Sequence, residues 1–271
     1  MVSPRPTTLS SHPIDLQWER LREQRRTALI PYLTAGYPDR AKSLAALRML
    51  PEAGADFVEV GLPFSDPLAD GPVIQQSTQA ALEGGMTVPG ALALIKEAEL
   101  GIPVIAFGYL NPILSYGLER FLDDAAASGV SGLLLTDLPA AEDLEIERTL
   151  HASPLALIRL VAPTTETSRL ARTVDSARGF IYLIARLGVT GPKTAVGLEL
   201  VDAVNRIRSV TNLPIAVGFG IATGEQAAKV AAMCEGVVVG SALVQRLSQG
   251  LESARDLMRE LAAALENGSR A

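Results

Sequence analysis

The stretch Ala28-Leu29-Ile30-Pro31-Tyr32-Leu33-Thr34-Ala35-Gly36-Tyr37-Pro38 decides between the two folds that alternating strands and helices can build. Ala28–Leu33 has the apolar run of a strand buried on both faces. The residues after it, Thr34 to Pro38, lack the G-x-G-x-x-G turn that an open dinucleotide-binding sheet places behind its first strand. A closed barrel is therefore favoured over a doubly wound sheet.

Working outward, seven more strand-like runs follow: Phe57–Gly61, Pro103–Phe107, Gly132–Thr136, Ala156–Leu160, Phe180–Ile184, Ile215–Val217 and Gly236–Val239. Helical patterns lie among them at Ala41–Leu50, Gly117–Ala127, Ala141–Leu150, Leu198–Val210 and Gly224–Met233. A further helix precedes the first strand (Asp15–Gln24), and a long one follows the last (Ser253–Leu265). Right-handed strand–helix crossovers make the sheet parallel, and eight of them close it. The expectation is an α/β fold, a single (β/α)8 TIM barrel with an extra N-terminal helix, over residues 14–271. Met1–Pro13, rich in Pro, Ser and Thr and without an apolar core, is expected to be a flexible leader rather than a secretory signal.

The 271 residues are 48% hydrophobic and 20% charged, a globular composition far from the disordered regime. A net charge of −6 offers no surface for nucleic acid, so a phosphate ligand would need backbone donors. No apolar run approaches the roughly 20 residues of a membrane span. The one cysteine, Cys234, excludes a disulfide within the chain, suits a cytoplasmic setting and reads as a small packed hydrophobe. His12 and His151 form no cluster with metal-ligand spacing, so no metal is expected.

Barrel enzymes place their chemistry at the C-terminal strand ends. There the second unit reads Asp56-Phe57-Val58-Glu59-Val60-Gly61-Leu62-Pro63-Phe64-Ser65-Asp66-Pro67-Leu68-Ala69-Asp70-Gly71-Pro72. Alternation sends Val58 and Val60 to the helical layer and Phe57, Glu59 and Gly61 into the barrel. A desolvated inward carboxyl can exchange protons near neutral pH. Equally, Glu59 could be the buried partner of an Arg or Lys, and Asp66-Pro67 and Asp70-Gly71 could be ordinary turn residues. The strand 6, 7 and 8 ends carry Gly188, Gly191, Gly218, Gly220, Gly240 and Ser241. Glycines in register on these units let backbone N–H groups approach a phosphate, and Ser241 can add a hydroxyl and cap the helix behind it.

Glu59–Pro72 resembles the signature of the tryptophan synthase α family, as do Pro31–Gly36, Tyr109-Leu110-Asn111-Pro112, Thr136-Asp137-Leu138-Pro139, Gly188-Val189-Thr190-Gly191, Gly218-Phe219-Gly220 and Gly240-Ser241. The resemblance implies retro-aldol cleavage of indole-3-glycerol phosphate to indole and glyceraldehyde 3-phosphate, with Glu59 and Asp70 catalytic. It implies Tyr32, Tyr182, Thr190, Gly191, Phe219, Gly220, Gly240 and Ser241 as substrate-binding residues. For the aromatic three, core packing is the alternative, and Arg186 stands on the strand 6 loop either as a family position or as a solvated charge. The family often has Phe or another apolar residue at the position of Tyr32. The resemblance further implies a β subunit as partner in an α2β2 heterotetramer, touched near Asp66, Pro67, Asn111 and Pro139. No cofactor is implied for this chain, pyridoxal phosphate belonging to the partner. A stand-alone lyase and a non-catalytic regulatory barrel are the alternatives.

Overall fold

The computed structural model describes residues 11–184, 193–218 and 220–268. Eight parallel strands close in chain order: β1 (Ala28–Thr34), β2 (Val58–Gly61), β3 (Val104–Gly108), β4 (Val130–Leu135), β5 (Ala156–Val161), β6 (Ile181–Ile184), β7 (Ile215–Gly218) and β8 (Gly236–Val239). β8 pairs back onto β1 with Ala28 opposite Gly236, which removes both sheet edges. The helix α1 (Pro13–Glu23) precedes the barrel. Around it run α2 (Arg40–Glu52), α3 (Pro72–Glu83), α4 (Val88–Ala98), α5 (Leu110–Tyr116), α6 (Leu118–Ala127), α7 (Leu144–Ala152) and α8 (Thr167–Asp175). The ring is completed by α9 (Lys193–Arg208), α10 (Gly224–Ala231), α11 (Ser241–Gln249) and α12 (Leu251–Gly268).

All eight expected strands are present, with bounds that move by a few residues. β4 starts at Val130 rather than Gly132 because Val130 pairs with Val104 across a register irregularity. The seventh helix starts at Leu144 rather than Ala141: Ala141 has φ +63°, outside helical space, and Asp143 caps the helix by accepting from the N–H groups of Glu145 and Ile146.

Alternation divides the apolar residues into two layers. Val58, Val60, Leu133, Leu157 and Val237 pack outward with the helices. Ile30, Phe57, Ile105, Leu134, Ile158, Phe180 and Val238 fill the lumen with Ile14 and Trp18 of α1. Glycines on the strands make room for those two side chains. A Cβ on Gly132 would lie 2.8 Å from Ile14 Cδ1, and one on Gly236 would lie 2.9 Å from the Trp18 ring. Trp18 stacks at 4.8 Å on Phe57 and 5.6 Å on Phe180, so α1 plugs the N-terminal mouth. The open end is therefore the C-terminal one.

On the outer face of β5, buried Arg159 pairs with Glu147 of α7 and donates to the Leu138 carbonyl at 3.0 Å. This fixes the loop after β4. Among the described residues no helix is long and apolar enough to cross a membrane.

Trp18→Ala should cost about 3–5 kcal/mol, because it empties a dry aromatic plug. Denaturant unfolding measures this, and a loss under about 1 kcal/mol would show that the plug is dispensable.

Candidate active site

Glu59 lies in β2 opposite Tyr32 of β1 and Ile105 of β3, with its side chain in the lumen above Phe57. It is 1% exposed, and among the described residues its Oε1 has no hydrogen-bond partner. No ion pair is recorded for it among the described residues, so the alternative of a buried Arg or Lys partner finds no support there. Burial pushes its pKa up from 4.5 to about 8. At neutral pH the group is therefore largely a neutral acid, able to donate a proton and take it back.

Two tyrosines share its space, Tyr32 from the neighbouring strand β1 and Tyr182 from β6 across the barrel. A Cβ on Gly61 would collide with Tyr32 Oη, and one on Gly218 with Tyr182 Oη. Each glycine leaves the space its neighbour's ring occupies. Tyr32 packs edge-on against Phe107 at 5.3 Å and against Gly240, where a Cβ would lie 3.7 Å away. Burial first, then the charges of Glu59 and Asp70, hold both hydroxyls well above the ordinary tyrosine range. Both carboxyls and both rings thus face one space at the C-terminal mouth.

Asp70 sits at the end of the β2–α3 loop, where its N–H donates to the Pro67 carbonyl at 3.0 Å. It is a turn residue, yet its carboxyl is half-buried, and burial raises it to about 6 while a hydrogen bond from Tyr109 opposes the rise. Tyr109 Oη also accepts the Ala69 N–H at 3.0 Å, so this tyrosine holds the loop as well as the carboxylate. Tyr109 was legible only as part of a motif; its position immediately behind β3 is the signal that could have marked it.

Gly240 is the N-cap of α11 and makes no side-chain cap bond; Ser241 is its first helical residue. The expectation that Ser241 caps the helix is therefore corrected: it lies one position too far along. Ser241 is exposed, and the first turn of a helix carries backbone N–H groups without intrahelical partners, a setting suited to an anion. Gly220, with φ +82°, lies on the loop after β7. Thr190, Gly191, Phe219 and Arg186 lie outside the described residues. Asp66, Asn111 and Pro139 are exposed and Pro67 half-buried; Asp66 and Pro67 lie on the loop after β2, Asn111 in the first turn of α5 behind β3, and Pro139 on the loop after β4. The Leu110 N–H donates to Asp137 Oδ1 at 2.8 Å and ties the start of α5 to the loop after β4. Cys234 is buried, its thiol pushed up to about 12 by burial, away from this mouth on the segment leading into β8. Among the described residues no cluster of His, Cys, Asp and Glu could hold a metal ion.

A closed parallel barrel with a desolvated acid and a second carboxylate at its C-terminal mouth has the form of a barrel enzyme with proton-transfer chemistry. The family model described as tryptophan synthase alpha chain matches residues 18–270. The chain is 44% identical over 242 residues to the tryptophan synthase alpha chain of Caulobacter vibrioides (strain NA1000 / CB15N), 88% of each being covered. It is 45% identical over 237 residues to that of Acidiphilium cryptum (strain JF-5), with 86% of each covered. A chain of tryptophan synthase from M. tuberculosis in its aminoacrylate-bound form superposes with TM-score 0.86 at 39% identity, covering 94% of this chain and 100% of that one. Tryptophan synthase subunit alpha from Legionella pneumophila str. Paris gives TM-score 0.87 at 33% identity, covering 95% and 100%. The chain belongs to the tryptophan synthase alpha chain family.

A carboxyl that binds its proton more tightly folded than unfolded lowers stability as pH climbs between its two pKa values, here about 4.5 and about 8. Glu59→Gln keeps the shape and removes the ionisation. Its stability relative to the parent should therefore rise across that window by up to a few kcal/mol and level off above it. Denaturant titrations at about pH 5 and about pH 9 measure the difference, and an equal gap at both would contradict the buried acid.

Proposed function

We propose that this chain is the α subunit of tryptophan synthase, cleaving indole-3-glycerol phosphate to indole and glyceraldehyde 3-phosphate, with Glu59 as the acid–base group. The observation that carries the residue assignment is the desolvated Glu59 carboxyl, raised to about 8 and with its Oε1 unpartnered among the described residues, in the same mouth as Asp70.

The chemistry follows from that pairing. The neutral Glu59 carboxyl gives its proton to indole C3, which turns the ring into an electron acceptor. The resulting carboxylate takes the proton of the adjacent side-chain hydroxyl. The carbon–carbon bond breaks, its electrons return to the ring, an aldehyde forms at the former alcohol carbon, and Glu59 ends as it began. Positive charge that develops at the ring nitrogen is stabilised by the Asp70 carboxylate, which Tyr109 holds in place. Tyr32 and Tyr182 wall the ring. Gly220, Gly240 and Ser241 receive the phosphate through backbone N–H groups and the serine hydroxyl, together with Gly191. Thr190 bonds Asp70 as the loop after β6 closes, and Phe219 completes the indole wall.

The partner is the tryptophan synthase β subunit in an α2β2 heterotetramer, seated on the face of Asp66, Pro67, Asn111 and Pro139 and receiving the indole. The setting is the cytoplasm, in keeping with a single, buried cysteine.

The test is an indole-release assay with and without the β subunit. Activity that stays low until β is added supports the subunit role, and full activity in isolation would identify a stand-alone lyase instead. Glu59→Gln should lower kcat about a thousandfold or more while substrate still binds, and Asp70→Asn about a hundredfold or less. Retained turnover in Glu59→Gln would remove the assignment. In the parent enzyme kcat/KM should be bell-shaped in pH, with an acidic limb near Asp70 at about 6 and an alkaline limb near Glu59 at about 8. A profile flat across that range would contradict both roles.

A further inference from the structure

A chain of hydroxyls runs from the barrel interior to α3, and its proton directions can be fixed by counting. Ser77 Oγ gives its one proton to the Ile74 carbonyl at 2.8 Å. Thr34 Oγ1, 2.7 Å from Ser77 Oγ, is then the donor to it. Tyr32 Oη, 3.3 Å from Thr34 Oγ1, is in turn the donor to Thr34. Thr34 and Ser77 are buried, so bulk water does not compete for these bonds. With its proton committed outward, the Tyr32 hydroxyl turns only lone pairs to the lumen.

That oxygen occupies the place a Cβ on Gly61 would take. Gly61 stands in the same inward row as Glu59, one step nearer the mouth, and Tyr32 is itself in register with Glu59 across the β1–β2 pair. In the layer below, Glu59 Oε1 is buried without a hydrogen-bond partner among the described residues. We propose that Tyr32 is a positioning residue for Glu59: locked by Thr34 and Ser77 as an outward donor, its hydroxyl presents lone pairs and no donor to the space that holds the carboxyl, and so favours the acid over the carboxylate. This rests on the assignment of Glu59 as proton carrier. Among the described residues the other titratable groups at this mouth are Asp70 of the β2–α3 loop, Tyr109 behind β3 and Tyr182 of β6. None of them is linked to the Thr34–Ser77 pair in the same way.

The experiment is the pH dependence of kcat/KM for indole release from indole-3-glycerol phosphate by the full chain and its variants. Thr34→Val keeps the shape but removes the acceptor, which frees the Tyr32 O–H to turn and donate to the Glu59 carboxylate. The alkaline limb should then move to lower pH by about half a unit or more, a roughly threefold loss of the protonated form above the limb. Ser77→Ala, one hydroxyl further out, should move it in the same direction. In a Tyr32→Phe background both shifts should vanish, because the group that turns is gone. A limb that stays in place in both variants, or that moves equally with Phe at position 32, overturns the proposal. If Thr34→Val fails to fold, the Ser77→Ala comparison decides alone. Retained turnover in Glu59→Gln is a separate outcome, which overturns the acid–base assignment and this proposal with it.

Discussion

A carboxyl group held inside a closed barrel loses the water that would solvate its anion, and the protein must then live with a neutral acid or supply a counter-charge. Glu59 is in that position because a β-strand alternates its side chains. Val58 and Val60 are needed by the helical layer, so Phe57, Glu59 and Gly61 face the lumen. Phe57 joins the aromatic plug with Trp18 and Phe180, which seals the barrel from below. Dryness above Glu59 is supplied by Tyr32 and Tyr182. The chemistry at the mouth therefore depends on packing that begins at the opposite end of the molecule.

Glycine placement carries out much of this packing. At the bottom, Gly132 and Gly236 admit Ile14 and Trp18; at the top, Gly61 and Gly218 admit the hydroxyl ends of Tyr32 and Tyr182. In each case a side chain from a neighbouring element fills the place of a missing Cβ. The two carboxyls diverge for the same reason. Among the described residues Glu59 has burial acting on it without a compensating bond, whereas Asp70 is less buried and has Tyr109 favouring its anion. Near neutral pH the first is held as the acid and the second as the anion.

The fold was legible because strands and helices alternate with different periods, and β2 in particular announced its anomaly: a charged residue on the inward beat of an apolar strand. The edges of elements were less legible. Val130 extends β4 only because Val104 is there to pair with it, and Ala141 leaves helical space for a reason confined to its loop. Ser241 illustrates a one-residue limit, since sequence alone does not tell a capping position from the first helical one. Tyr109 and the Thr34–Ser77 pair act through contacts that span 40 and 43 positions of chain, Tyr109 with Ala69 and Thr34 with Ser77, and no local pattern marks such pairs. The substrate's identity came from the Glu59–Pro72 signature, not from periodicity.

The account stands on the protonation state of one buried carboxyl. Carbon-13 NMR of the glutamate side-chain carboxyls, with Glu59→Gln to assign the resonance, titrates that group directly in the intact chain. The account predicts a midpoint near pH 8, as burial dictates. A midpoint near the ordinary 4.5 would mean that the lumen is wet or that a cation is paired with Glu59, and would contradict it.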